Sequence, residues 1–74
     1  MNHLFKYSLN ERKPIELIYL NNSGEISYRL VIIRRIKLDN VLVYDLQKQQ
    51  MRTFSIDGIL SVAKPKRQRG VNYA

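Results

Sequence analysis

Apolar side chains recur along this chain at two spacings, and the change from one to the other divides it into elements. From Asn2 to Arg12, Leu4, Phe5 and Leu9, with small Ser8 among them, fall at i, i+1, i+4 and i+5, which predicts one face of a short helix. Asn2 is placed to cap its start. Pro14 ends it, because proline has no N–H and biases Lys13 away from helical geometry. The period then becomes two. Ile15, Leu17 and Tyr19 share one side of a predicted strand, and Ile18 and Leu20 make the other side apolar as well. Both faces of that strand are therefore expected to be covered, one by a barrel interior and one by the first helix.

Asn21-Asn22-Ser23-Gly24 is a turn signal, since Asn tolerates left-handed φ and Gly adopts it freely. The returning strand alternates Ile26, Tyr28, Leu30 and Ile32 with Ser27, Arg29, Val31, Ile33 and Arg35. Its length predicts a bend near Arg34-Arg35, as a strand serving two halves of a small barrel must curve. Asp39-Asn40 reads as a second turn, Val41 to Tyr44 as a third strand and Gln47 to Gln50 as a polar connection. Met51 to Ile56, a tight turn at Asp57-Gly58 and Ile59 to Ala63 complete five strands, and Pro65 stops the last. The predicted class is mainly β: a small five-stranded antiparallel SH3-like or Sm-like barrel with one N-terminal helix.

Composition narrows what such a domain can do. With 74 residues, 45% hydrophobic and 26% charged, the chain is expected to fold as one domain over residues 1–63. A basic flexible tail is expected over 64–74, where Lys64, Lys66, Arg67 and Arg69 carry four of the seven net positive charges. A core of this size yields only about 3–5 kcal/mol, and with no cysteine neither a disulfide nor a thiolate-bound metal reinforces it, so a compact barrel or a dimer is expected. The lack of cysteine suits the cytoplasm. No apolar run exceeds four residues, as in Leu30 to Ile33, so no membrane span or signal core is read, and MNHLFKYSLN is taken as mature protein.

The runs KPIELIYLNNSGEISYRLVIIRRI and VLVYDLQKQQMRTFSIDGILSV resemble the WYL domain, a bacterial regulatory module with an Sm-like barrel, over about residues 4 to 63. Tyr19 fits that family's strand-end tyrosine and Arg29 its second-strand arginine. Arg52-Thr53-Phe54 with Asp57 and Ile59 fits its closing segment, the most specific of the matches. The Trp-Tyr-Leu tripeptide is missing, with Asp39-Asn40-Val41 in its place; Ile33 replaces a common proline, and Ser55 and Gly58 stand where arginines are frequent. The resemblance implies a module that senses nucleic acid or nucleotides in the control of transcription. In that family such a module usually follows a helix-turn-helix segment, for which 74 residues leave no room.

Catalytic readings have little to stand on. His3 is the sole imidazole and lies beside no carboxylate or nucleophile partner, while Glu11, Glu16, Glu25, Asp39, Asp45 and Asp57 are scattered without metal-binding or paired spacing. Gly24, Gly58 and Gly70 are too far apart for a phosphate loop, so no cofactor and no enzyme activity are expected. Arg29 sits amid a long apolar strand, where a guanidinium either pairs with a carboxylate, Glu16 being the candidate, turns to water, or joins Arg52 to grip phosphate. Arg52 lies two residues before Phe54 and so on the same side of its strand, and Tyr19 or Tyr44 is the expected aromatic neighbour. Arg34, Arg35 and Lys37 form a second basic cluster, read either as edge protection or as a nucleic-acid contact. The candidate binding residues are thus Tyr19, Arg29, Arg34, Arg35, Arg52, Lys64, Lys66, Arg67 and Arg69. The expected partner is single-stranded nucleic acid or a nucleotide, with a protein partner or homodimer as the alternative, and no membrane.

Overall fold

The computed structural model describes residues 3–65. Helix α1 covers His3–Glu11, and five strands follow: β1 Ile15–Leu20, β2 Ile26–Ile36, β3 Asn40–Asp45, β4 Gln50–Ser55 and β5 Ile59–Ala63. A single turn of 3-10 helix, Ile56–Gly58, joins β4 to β5. All neighbours are antiparallel, in one sheet of order β4-β3-β2-β1-β5. Asn21 ties the first hairpin, its side-chain Oδ1 accepting from the Ser23 and Glu25 N–H groups, and Gly24 takes the positive φ of 84° that the reversal needs.

One geometric demand shapes the sheet. β4 and β5 stand at its two ends, and in a flat sheet four steps of ~4.8 Å would hold them roughly 19 Å apart. The 3-10 turn between them advances only about 6 Å at ~2 Å per residue. The sheet therefore curls, and contacts across it follow: the Tyr19 ring on β1 lies 4.5 Å from the Phe54 ring on β4, and the Ser55 N–H donates to the Tyr19 hydroxyl at 3.1 Å. Gly58 permits the close approach of the 3-10 turn to β1, because a Cβ there would come within 2.7 Å of both the Leu20 carbonyl oxygen and Tyr19 Cε1.

The curled face encloses the core. Strict alternation sends Ile15, Leu17, Val31, Ile33, Val41, Val43 and Phe54 inward, all buried, and the register puts Ile15 opposite Val31, Ile33 opposite Val43 and Val41 opposite Phe54. α1 adds Phe5 to this cluster, with Leu4, Tyr7 and Leu9 packed around it. The helix packs against β2 and does not cover the outer side of β1, where Ile18 is half-buried and Leu20 exposed. The expectation of a helix over that side is thus corrected: α1 caps the core because Phe5 joins the inward-facing cluster.

The bend expected near Arg34-Arg35 is a β-bulge between Ile33 and Arg35. Arg34 is the extra residue, and the insertion reverses the alternation beyond it. Arg35, which uninterrupted alternation placed beside Ile33, pairs instead with outward Leu42, and Ile36 pairs with inward Val41. Ser8 secures the same region from the helix. The β1–β2 register, with Ile15 opposite Val31, would next set Lys13 opposite Ile33, but β1 begins only at Ile15. The buried Ser8 hydroxyl fills the gap, accepting from the Ile33 N–H at 2.9 Å and donating to the Lys13 carbonyl at 2.7 Å. Ser8→Ala would strand both backbone groups, so a loss of about 2 kcal/mol is expected, read as a lower urea midpoint with an unchanged denaturant slope.

Candidate functional site: a basic cluster around Phe54

Position two on either side of the core ladder is occupied by charge. On β2, Arg29 continues the inward row Ile33, Val31 and lies opposite Leu17; on β4, Arg52 precedes Phe54 by two and lies opposite Val43. Both guanidinium groups reach the same ring, Arg29 Cζ 5.9 Å and Arg52 Cζ 5.8 Å from the Phe54 centroid. Tyr19 packs on that ring as well, so four side chains from β1, β2 and β4 form one cluster. Of the residues expected to bind, the fold brings together Tyr19, Arg29 and Arg52.

Their electrostatic standings differ. Arg29 Nη1 meets Asp45 Oδ2 at 3.4 Å, the sole ion pair among the described residues, and Arg29 Nε donates to Ser27 Oγ at 3.2 Å. The Asp45 side chain is 0% exposed and that of Arg29 19%. Asp45 does two further things: its Oδ1 accepts from the Gln47 N–H at 3.0 Å and the Lys48 N–H at 3.1 Å, which shapes the turn into β4. The carboxylate expected for Arg29 was Glu16, and that pairing is not formed. Glu16 faces outward and takes a hydrogen bond from Tyr28, whose ionisation is raised above its usual 10.0 by desolvation first, then by that bond and the Glu16 charge. Arg52 has no carboxylate partner among the described residues and is half-buried. The cluster thus presents one compensated and one uncompensated guanidinium over an aromatic floor.

Tyr19 is part of that floor. Its ring lies between Phe54 and the Gly58 backbone and its hydroxyl is engaged by Ser55, so it holds Phe54 in place rather than offering a free face. The remaining candidates lie elsewhere. Arg34 and Arg35 are exposed on the far side of the bulge, five and six residues along β2 from Arg29, a separation of about 15 Å or more in extended chain. Lys64 is exposed with its Nζ 4.5 Å above the Tyr7 ring of α1. Lys66, Arg67 and Arg69 lie outside the described residues, as does Asn2.

Asp45 is the site residue that reading the sequence overlooked. The signal was present, because Val41, Val43 and Asp45 are one period-two row, and an acidic residue ending a buried row needs a cation. No protein-family model matches the chain, and no curated protein was found to be similar to it. No helix among the described residues is long and apolar enough to cross a membrane.

Removing Arg29 would leave a fully buried carboxylate without its cation. Arg29→Ala is therefore expected to cost about 3 kcal/mol or more, most of what a chain of this size commands. Arg52→Ala gives up a cation–π contact worth about 0.5–1 kcal/mol. Urea unfolding followed by tyrosine fluorescence compares the two, and equal losses would contradict the structural standing given to the Arg29–Asp45 pair.

Proposed function

We propose that this chain is a non-enzymatic, WYL-like regulatory module whose curled sheet is an SH3-like or Sm-like barrel, and that it binds single-stranded nucleic acid or a nucleotide through the face around Phe54. The observation that carries the reading is Arg52: a half-buried guanidinium, held over an aromatic ring and lacking a carboxylate partner among the described residues. Such a group is ordered before any ligand arrives, which lowers the entropic cost of binding. Its outward edge offers a forked pair of donors to a phosphate, and its plane offers a surface on which an unstacked base can lie. Phe54 itself is 3% exposed, so the base meets the guanidinium and not the ring. Arg29 holds the floor and contributes its remaining donors at the margin. The basic segment from Lys64 onward adds a sequence-independent attraction to phosphates. The resemblance to WYL domains, resting on Tyr19, Arg29, Arg52-Thr53-Phe54, Asp57 and Ile59, points to regulation linked to transcription, and the lack of cysteine suits the bacterial cytoplasm.

The variant that tests this reading is Arg52→Gln, because the Arg29 substitution also unfolds the floor. Binding of a labelled single-stranded oligonucleotide is measured at about 50 and about 200 mM salt. Wild type is expected to bind and to weaken with salt, and Arg52→Gln to lower both the affinity and the slope of log affinity against log salt, the slope by about 0.7 for one lost phosphate contact. No binding at the lower salt, or an unchanged slope in the variant, would rule the face out.

A second reading is favoured by the opposite side of the sheet. Ile26, Tyr28, Leu20, Leu60 and Met51 are exposed there, Ile26 by 66%, and the pairs Leu20–Ile26, Ile18–Tyr28, Ile32–Tyr44 and Tyr44–Met51 make a largely apolar surface. This is the kind of surface that docks a protein, in a homodimer or on a larger regulator. Light scattering over a range of concentrations tests it. A dimer that Ile26→Lys returns to monomer is the expected result, and a monomer throughout, with no captured protein partner, would dismiss it.

A further inference from the structure

The sheet has a second basic site at its other end. A cavity of about 500 Å³ opens where the C-terminal end of α1 meets the bulge of β2, lined by Leu9, Arg12, Ile32, Ile33 and Arg34. That volume falls in the range that holds small ligands, and two of its five lining residues are arginines, which makes the cleft more polar than apolar. Its walls are fixed by features already needed for the fold. The bulge inserts Arg34 into β2, Ser8 ties the helix to Ile33 and Lys13, and Arg12 turns the chain out of α1 with φ at 57°.

Charge decides what fits. Arg12 and Arg34 are both exposed, and among the described residues neither has an ion-pair or hydrogen-bond partner. Two like charges lining one cleft repel each other, and an oxyanion held by both relieves that repulsion while accepting from two donor forks. The C-terminal carbonyls of α1 carry about half a negative charge, which opposes an anion but is outweighed by two whole guanidinium charges. Two cations suit a dianion better than a monoanion. Leu9 and Ile32, both half-buried, supply apolar surface that a bare inorganic ion would leave uncovered.

We propose that this cleft is a binding site for a small phosphate monoester with an apolar body, the phosphate gripped by Arg12 and Arg34 and the body lying on Leu9 and Ile32. The site is separate from the Phe54 cluster and does not depend on it. Amide chemical shifts of the full chain, titrated with phenyl phosphate, inorganic phosphate and phenol, provide the test. Phenyl phosphate is expected to shift the amides of Leu9, Arg12, Ile32, Ile33 and Arg34 in a saturable way, inorganic phosphate to bind the same residues more weakly, and phenol not to bind. Arg12→Gln and Arg34→Gln, both at exposed positions, should each weaken phenyl phosphate about tenfold, while Arg52→Gln leaves its affinity unchanged. Shifts scattered over the basic surface, shifts centred on Arg52 and Phe54, or full affinity in either cleft variant would overturn the assignment. Equal affinity for inorganic phosphate would remove the apolar body from it.

Discussion

A carboxylate with no exposure to water sits at the inner end of β3, and the basic half of the molecule is organised around it. Asp45 is removed from solvent in the same row as Val41 and Val43, a position that a charge tolerates only when it is paired and hydrogen-bonded. Both conditions are met at once. Arg29 supplies the cation from β2, and the Gln47 and Lys48 N–H groups of the following turn supply neutral donors. One side chain thereby fixes the turn into β4, holds a guanidinium at the core boundary and sets that guanidinium over Phe54. The consequence for the proposed binding is a division of labour: Arg29 belongs first to the protein, and Arg52, which has the same ring beneath it and no acidic mate among the described residues, is the group with charge to offer.

The curl of the sheet follows from how short the β4–β5 connection is. Three residues of 3-10 helix link the two end strands, so β1 and β4, which have two strands between them in the ladder, touch through Tyr19, Phe54 and Ser55. Gly58 is required in that turn because the Tyr19 ring and the Leu20 carbonyl already occupy the space of a side chain. Gly58 thus serves the packing of Tyr19, and the basic character of the face rests on Arg52. At the opposite end, the bulge of β2 and the Ser8 bridge create the cleft between α1 and the sheet. The length of β2 keeps the two basic regions apart, so each has its own neighbours and its own chemistry.

How much could be read beforehand differs from element to element. The first strand was legible to the residue, because Pro14 starts it and Asn21 to Gly24 ends it. The shared side of Arg52 and Phe54 was legible too, since a period of two leaves no freedom between residues two apart. The bend of β2 was expected, yet its effect on Arg35 was not, because whether an extra residue is absorbed as a bulge depends on the partner strand. The mate of Arg29 was missed for a similar reason: Glu16 was the nearer acid by hairpin pairing, but on β1 it faces outward with Tyr28.

Amphipathic spacing, turn residues and the two prolines were enough to determine one short helix, five antiparallel strands and the inward rows of the core, since these depend on neighbours along the chain. The curl, the burial of Asp45, the meeting of two arginines on one phenyl ring and the cleft beside the bulge were decided only when strands distant in sequence came into register. Local patterns state which side of a strand a residue occupies; which charge it meets there is set by the three-dimensional path of the other strands.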